Sequence, residues 1–484
     1  MRIAMTVDPA HHRRWHARLV DGLRQDGHLV SLTAVRDEAS RPIRGLDLLL
    51  RFERLVFPAQ GSDLFEPLAL ESADAEPVID LHIDLGTLPR STEAWSLSFD
   101  GIRGEAGLVS ALLDGRSPSI RLEGSEGPVA CGEAALENPR LLGLGLDAVL
   151  LRAIGLCRRA VADRAKGNRR SSLSATRETG AAPSGRVMAF MLRGLTERIS
   201  GRLARMAGSA HCWQTGWRAL GPGDSSVQAT LTWPDGGYNW LPDDGQRIYA
   251  DPFLFAAEGR TFLFVEDYPY STNRGIISTV ELTPDGPTGT PRPVLEAAVH
   301  LSYPTVFARD GAIWMIPETH GARRIDLYRA DPFPDRWVLH RTLVADVAAS
   351  DATLLEHEGQ LYLFATTNDG GGSTWDQLTI YCAESLDGPW TVHPDSPAVI
   401  DASAARPAGF TFHRGRELIR PVQDCRGGYG AALTFCRIDE LSRTRFRQTV
   451  LSRLAPDPRW HASGAHTLNV GAGFEVVDRM APRR

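Results

Sequence analysis

From about His211 onward the chain alternates short apolar runs with clusters of Gly, Pro and Asp, the pattern of short strands and tight turns. Three segments share one grammar: IYADPFLFAAEGRTFLFVEDY, SYPTVFARDGAIWMIPETHG and SDATLLEHEGQLYLFATTN. Each has a small or polar opening, an apolar strand, a charged turn ending in Gly and a second apolar strand. ARPAGFTFHRGRELIRPVQDC keeps the grammar, and GAHTLNVGAGFEVVDR is a shorter fifth copy. The openers fall near Asp251, Tyr303, Asp351, Arg406 and His466, a period of roughly 50 residues, as expected for blades of about four strands. The repeat predicts a five-bladed β-propeller over residues 211–484, with a strand from Trp213–Leu231 closing the ring.

The first half has a different period. Arg2–Val7 reads as a strand, and His12–Gln25 as a helix with Trp15, Leu19 and Leu23 on one side. Gly27 closes that helix, and His28–Val35 reads as a second strand. Leu46–Phe52 and Val78–Leu85 are further strand candidates, and a long helix is expected from about Leu141 to Val161. The fold class is therefore multidomain: an α/β domain over residues 1–164, then the all-β propeller. Between them lies a linker with a bracing helix, residues 165–210. Its first part, AKGNRRSSLSATRETGAAPSG, carries almost no large apolar residue, and 187–206 is amphipathic.

A blade cannot bury both faces alone, so blades stack about an axis and equivalent repeat positions converge on one funnel. That places Asp251, Tyr303, Asp351, Arg406 and His466 together. The ends of the second strands add Glu266, Asp267, Glu318 and Thr366, and the fourth blade adds Arg420, Gln423 and Asp424. Several carboxylates beside Arg and His is the equipment of glycosyl chemistry, in which one acid acts as base or nucleophile and another protonates the leaving oxygen. The catalytic candidates are Asp251, Glu318 and Asp351. Glu266, Asp267, Tyr303, Arg406, Arg420, Gln423, Asp424 and His466 are candidate substrate contacts. Glu266 and Asp267 are adjacent, so strand alternation sends only one of them to the funnel. Trp375 and Tyr429, in Gly-rich segments, are candidates for stacking on a sugar ring. The bland alternatives are turn-capping acids, arginines that tie blades together and a core histidine.

Composition narrows the class. Charged residues make up 23% of the chain, and the formal net charge of −6 leaves no basic field for nucleic acid. No segment approaches the roughly 20 apolar residues of a membrane span. The six cysteines contain no CxxC pair, so neither a zinc site nor any other metal or cofactor is expected. Scattered thiols and an N-terminus without a long apolar run lead to the expectation of a cytoplasmic protein.

ADPFLF, a Gly turn and FLFVEDY resemble the first blade of the arabinanase, xylosidase, invertase and levansucrase propellers. The resemblance implies that Asp251 is a base or nucleophile. Where those enzymes open their second blade with an orienting Asp, this chain reads SYPTVF, which shifts the orienting and acid tasks to Asp351 and Glu318. The wider set YADPFLF, FVEDY, HLSYPTVF, MIPET, DATLLEH, LFAT, ARPAG, RPVQDC, YG and HTLN resembles the propeller in the N-terminal part of plant glucosamine inositolphosphorylceramide transferases. In those proteins a separate C-terminal domain is expected to perform the transfer. MRIAMTVD, the Trp15 helix and GHLVSL resemble the formyltransferase fold. WSLSFDG, at Trp95–Gly101, stands where an Asn–His pair is expected and has neither, implying a catalytically degenerate domain. The leading expectation is glycosyl transfer in cytoplasmic glycan or glycolipid synthesis, on a sugar or activated sugar with a glycolipid acceptor. The alternatives are an arabinanase-type glycoside hydrolase and a non-catalytic sugar- or glycolipid-binding propeller.

Overall fold

A computed structural model describes residues 1–36, 43, 45–57, 63–69, 78–86, 94–168, 186–187, 189–190, 211–368 and 371–482. The chain divides into two compact units, Met1–Leu203 with Gly370–Ser373, and Ala204–Asp369 with Thr374–Arg484. Most of the expected linker and bracing helix lies outside the described residues.

The first unit is built on a seven-stranded mixed sheet. Leu29–Ala34, Arg2–Val7, Leu81–Asp84 and Trp95–Phe99 run parallel in that spatial order, and Ser119–Gly124 and Gly127–Glu133 follow antiparallel. The helices Arg14–Gln25 and Leu142–Ala165 form where the sequence predicts them. Leu46–Phe52, expected as a strand, lies in the helix Leu46–Val56. Its buried residues are Leu46, Leu49 and Leu50, spaced three and four apart. Long Leu, Arg and Glu side chains favour that helix, and the apolar run alone does not reveal the period. Among the described residues no helix is long and apolar enough to cross a membrane.

The second unit is a five-bladed propeller. Blade one opens with Arg247–Ala257 and Arg260–Pro269, blade two with Ser302–Arg309 and Ala312–Glu318, and blade three with Ala349–His357 and Gln360–Thr367. Blade four contains Phe412–Arg414, Glu417–Asp424, Ala432–Leu441 and Phe446–Leu454. Blade five joins Leu468–Gly471 and Phe474–Pro482 to His211–Ala219 and Asn239–Trp240 from the start of the unit, so the ring closes by pairing strands from its two ends. Each blade-to-blade interface has its own apolar cluster. Ile316, Ile325 and Leu327 of blade two, for example, pack on Leu361, Leu363 and Tyr381 of blade three. Burying both faces of every sheet is the driving force for the ring.

The charged turns explain themselves in backbone terms. Glu258–Gly259, Asp310–Gly311 and Glu358–Gly359 all have positive φ at both residues, the two-residue hairpin geometry that matches strand twist.

Candidate functional site

The repeat places three openers in one unusual backbone state. Asp251, Tyr303 and Asp351 have φ of 48°, 47° and 55°, a left-handed region costly for residues with a side chain. Each sits in a register shift of its hairpin, between Ala250 and Phe253, Ser302 and Thr305, and Ser350 and Thr353. The bulge takes the opener's N–H out of the ladder, and a carboxylate accepts it from the neighbouring blade. Asp251 N–H donates to Asp478 Oδ2 at 3.1 Å, Tyr303 N–H to Asp251 Oδ2 at 3.1 Å and Asp351 N–H to Glu318 Oε2 at 3.2 Å. Acids at this rim therefore lock blade to blade, a role the repeat alone does not disclose.

Asp251 is 2% exposed. It also accepts the Thr467 hydroxyl at 2.8 Å and lies 3.2 Å from His466 Nε2. His466 Nδ1 is 2.7 Å from Asp478 Oδ2, so the ring sits between two buried carboxylates. Burial opposes charging of this histidine, but Asp478 and Asp251 outweigh it and lift its pKa to about 10. Burial likewise pushes the Asp251 carboxyl up, and His466, Thr467 and Arg406 more than reverse it, leaving it below the usual range. Ligand atoms of Asp251, His466 and Asp478 lie within 4.8 Å of one another, a spacing a metal could use. Asp251 and Asp478 also accept the N–H groups of Tyr303, His466 and Thr467, so these carboxylates are already engaged by the protein.

Asp351, 1% exposed, is held differently. Arg406 grips it with Nε and Nη2, at 2.6 and 3.1 Å, and Gln423 Nε2 donates to it at 2.8 Å. Burial and the nearby Glu318 charge push its carboxyl well up, and Arg406 pulls against them. The remaining Arg406 donors reach Thr374, Glu318 and Tyr429 at 3.4–3.5 Å. The guanidinium is thereby spent on the protein itself.

Above these networks opens a cavity of about 240 Å³, lined by Trp213, Ile248, Glu266, Tyr268, His300, Ser302, Glu318, Arg406, Tyr429 and His466. Glu266 and Glu318 are repeat equivalents: each faces, across its hairpin, the residue just before the opener, Ala250 or Ser302. Both side chains are 12% exposed. Burial raises the Glu266 carboxyl pKa, and the Asp251 charge adds to this against the pull of His300. His300 Nε2 lies 3.0 Å from Glu266 Oε1. Trp213 stacks on His466 with ring centres 3.9 Å apart, and Tyr429 meets Trp375 at 5.3 Å. Gly430 has φ 59°, and a Cβ there would stand 2.5 Å from that of His466, so the YG pair needs its glycine.

Of the expected residues, Glu266, Glu318, Arg406 and His466 line this cavity, as does Tyr429. Asp251, Asp351 and Gln423 lie beneath it, fully engaged. Four others belong elsewhere. Asp267 takes the opposite face of its strand and meets Arg247 and Ser278. Tyr303 is buried at 0% exposure, its hydroxyl bridging Thr353 and the Gly409 N–H. Arg420 donates to the Ala404 and Ala405 carbonyls and to Gln448 inside the fourth blade. Asp424 pairs with Arg426 and Arg453. Strand alternation separates Arg420 and Asp424 from Gln423, which faces Asp351. Trp213, His300 and Tyr268 were not among the candidates, because each lies outside the repeated openers and second-strand ends.

Residues 244–469 match the family described as Glucosamine inositolphosphorylceramide transferase 1, N-terminal. That range takes in the site from Asp251 to His466 but not Trp213 or Asp478, which the ring closure supplies. Curated relatives from rice and Arabidopsis carry the name Glucosamine inositolphosphorylceramide transferase 1. The one from Oryza sativa subsp. japonica is 31% identical over 291 residues, covering 57% of this chain and 38% of the relative. The one from Arabidopsis thaliana is 32% identical over 206 residues, covering 42% and 27%. The chain thus spans well under half the length of the curated relatives it matches. Among solved structures, a family 117 glycoside hydrolase from Zobellia galactanivorans aligns with TM-score 0.34 and 12% identity, over 55% of this chain and 90% of that one.

Proposed function

We propose that the propeller funnel is a carbohydrate-active site in which Glu266 is the acid and Glu318 the opposing base. The observation that carries this reading is that these two repeat-equivalent glutamates are the carboxylates lining the cavity, beside the rings of Trp213 and Tyr429. Burial favours the protonated form of Glu266, the form an acid must hold at neutral pH. As the donor's C–O bond breaks, Glu266 gives its proton to the leaving oxygen. Glu318 takes the proton of the incoming hydroxyl as its oxygen bonds to the sugar carbon. A water as acceptor makes the reaction hydrolysis; a lipid head-group hydroxyl makes it transfer. The names of the plant relatives favour transfer, with an amino sugar donor and a glycolipid acceptor, and the proposed setting is the cytoplasm. In this reading the N-terminal unit is a degenerate formyltransferase-like module that does not turn over a formyl-folate donor.

The test is a panel of nucleotide sugars and 4-nitrophenyl glycosides offered to the purified chain. Glu266→Gln and Glu318→Gln should each lower turnover by about 10²–10⁴-fold with the fold retained. No turnover across the panel, or full activity in both variants, overturns the enzymatic reading. The engagement of Asp251 and Asp351 in blade-locking contacts favours one second reading, a sugar-binding propeller, which a glycan-binding array would then test.

A further inference from the structure

His300 precedes the second blade's inner strand, outside the repeated positions, and it touches the proposed acid. Gly275 N–H donates to His300 Nδ1 at 3.0 Å, and Leu301 N–H returns a bond to the Gly275 carbonyl at 3.0 Å. The two backbone segments therefore hold each other in register. A ring nitrogen that accepts from a backbone N–H carries no proton, so the hydrogen of a neutral His300 lies on Nε2. That nitrogen stands 3.0 Å from Glu266 Oε1. Among the described residues neither Glu266 carboxylate oxygen has a well-aligned hydrogen bond, and the 3.0 Å approach of the ring falls on Oε1. Gly275 is packed against both partners: a Cβ there would lie 2.5 Å from the Leu301 carbonyl oxygen, 2.7 Å from His300 Cε1 and 3.0 Å from Glu266 Oε1. Contacts under 3 Å cannot be absorbed by backbone without a shift.

We propose that His300 is a positioning residue for Glu266: held as the Nε2–H tautomer by Gly275, it occupies Oε1 and leaves Oε2 to the cavity. The glutamate then presents one defined oxygen to a leaving group, while the Gly275 N–H on Nδ1 opposes the second ring proton that the charges of Glu266, Glu318 and Asp251 favour. This role rests on the acid assignment of Glu266, but its first test does not need turnover.

The full chain labelled with ¹⁵N-histidine should show, in long-range ¹H–¹⁵N spectra at neutral pH, the Nε2–H tautomer for His300. Its signals are identified by their loss in His300→Gln. An Nδ1–H tautomer, or a doubly protonated ring, overturns the proposal. Gly275→Ala should shift these signals, because its methyl displaces the ring. In the turnover assay with 4-nitrophenyl glycosides or nucleotide sugars, His300→Ala should lower kcat on the order of tenfold or more with KM little changed, and should move the limb of the pH profile set by Glu266. His300→Gln, which keeps an N–H donor and an acceptor, should restore most of it. Full kcat and an unmoved pH profile in His300→Ala, beside an inactive Glu266→Gln, defeat the positioning role and leave the function standing. Full activity in Glu266→Gln defeats the function itself, whatever the tautomer.

Discussion

Asp251 and Asp351 occupy equivalent places in blades one and three. Both are buried, both sit at a bulge, and both hold φ near 50°. Their partners nevertheless differ in kind. Asp251 faces a histidine shared with Asp478, while Asp351 is gripped by an arginine and a glutamine. The repeat dictates where the carboxylate stands; the neighbouring blade dictates what it meets. The difference matters because an imidazolium can lose its proton and a guanidinium cannot. One acid has a partner that adjusts to its loss, and the other does not.

That contrast orders the expected effects. The largest should follow Arg406→Ala, which strands Asp351 as a buried acid, and Asp351→Asn, which strands the guanidinium. Each should cost about 3–5 kcal/mol in chemical denaturation, the scale for breaking one side of a buried pair. Asp251→Asn should cost less, roughly 1–3 kcal/mol, because His466 can relax to its neutral form with Asp478 still beside it. Equal losses at Asp251 and Asp351 would break the comparison.

The histidine also makes a pH prediction with a definite sign. Its folded pKa of about 10 stands above the unfolded value of roughly 6.5, so its contribution is complete below the lower figure. Stability should fall as pH rises between those two values, by at most about 1.4 kcal/mol per pH unit from this group. His466→Gln should flatten the fall, as read from denaturation midpoints across that range, whereas Gln423→Ala should leave its slope unchanged. A slope equal in His466→Gln and the parent would remove the imidazolium from the account.

The smallest effect is expected at the hairpin turns away from the buried carboxylates, such as Glu258–Gly259. Glu258→Asn suits φ 52° better and should raise stability by roughly a few tenths of a kcal/mol. A comparable gain from Asp251→Asn would mean that the opener's backbone strain, and not its charge, dominates there.

Much of the scaffold was legible because a propeller writes its period in strand and turn residues. EGR, DGA and EGQ mark hairpins whose backbone only such turns allow, and the openers fall one blade apart. The site was legible in part. Glu318, Arg406 and His466, expected by position, line the cavity, and the register of the first hairpin puts Glu266 rather than Asp267 there, which alternation had left open. Arg420 and Asp424 were misplaced because blade four begins with an irregular segment, where Pro407 bridges to Val422 before the paired strand at Phe412–Arg414. Offset counting loses the face when a strand starts late.

By itself, then, the sequence determined the five-fold repeat, the turns, the convergence of acids on one rim and the difference in period between the two halves. These are local or periodic properties, set by residues that neighbour one another in the chain. Only the tertiary structure decided that Asp251 and Asp351 lie locked beneath the cavity while Glu266 and Glu318 line it. It alone brought Trp213 onto His466 through the closing strand, and His300 onto Glu266 through Gly275. Such contacts join residues far apart in the chain, and burial and hydrogen-bond geometry at those contacts, not residue type, decide which acids reach the cavity, Glu318 among them while also accepting the Asp351 N–H.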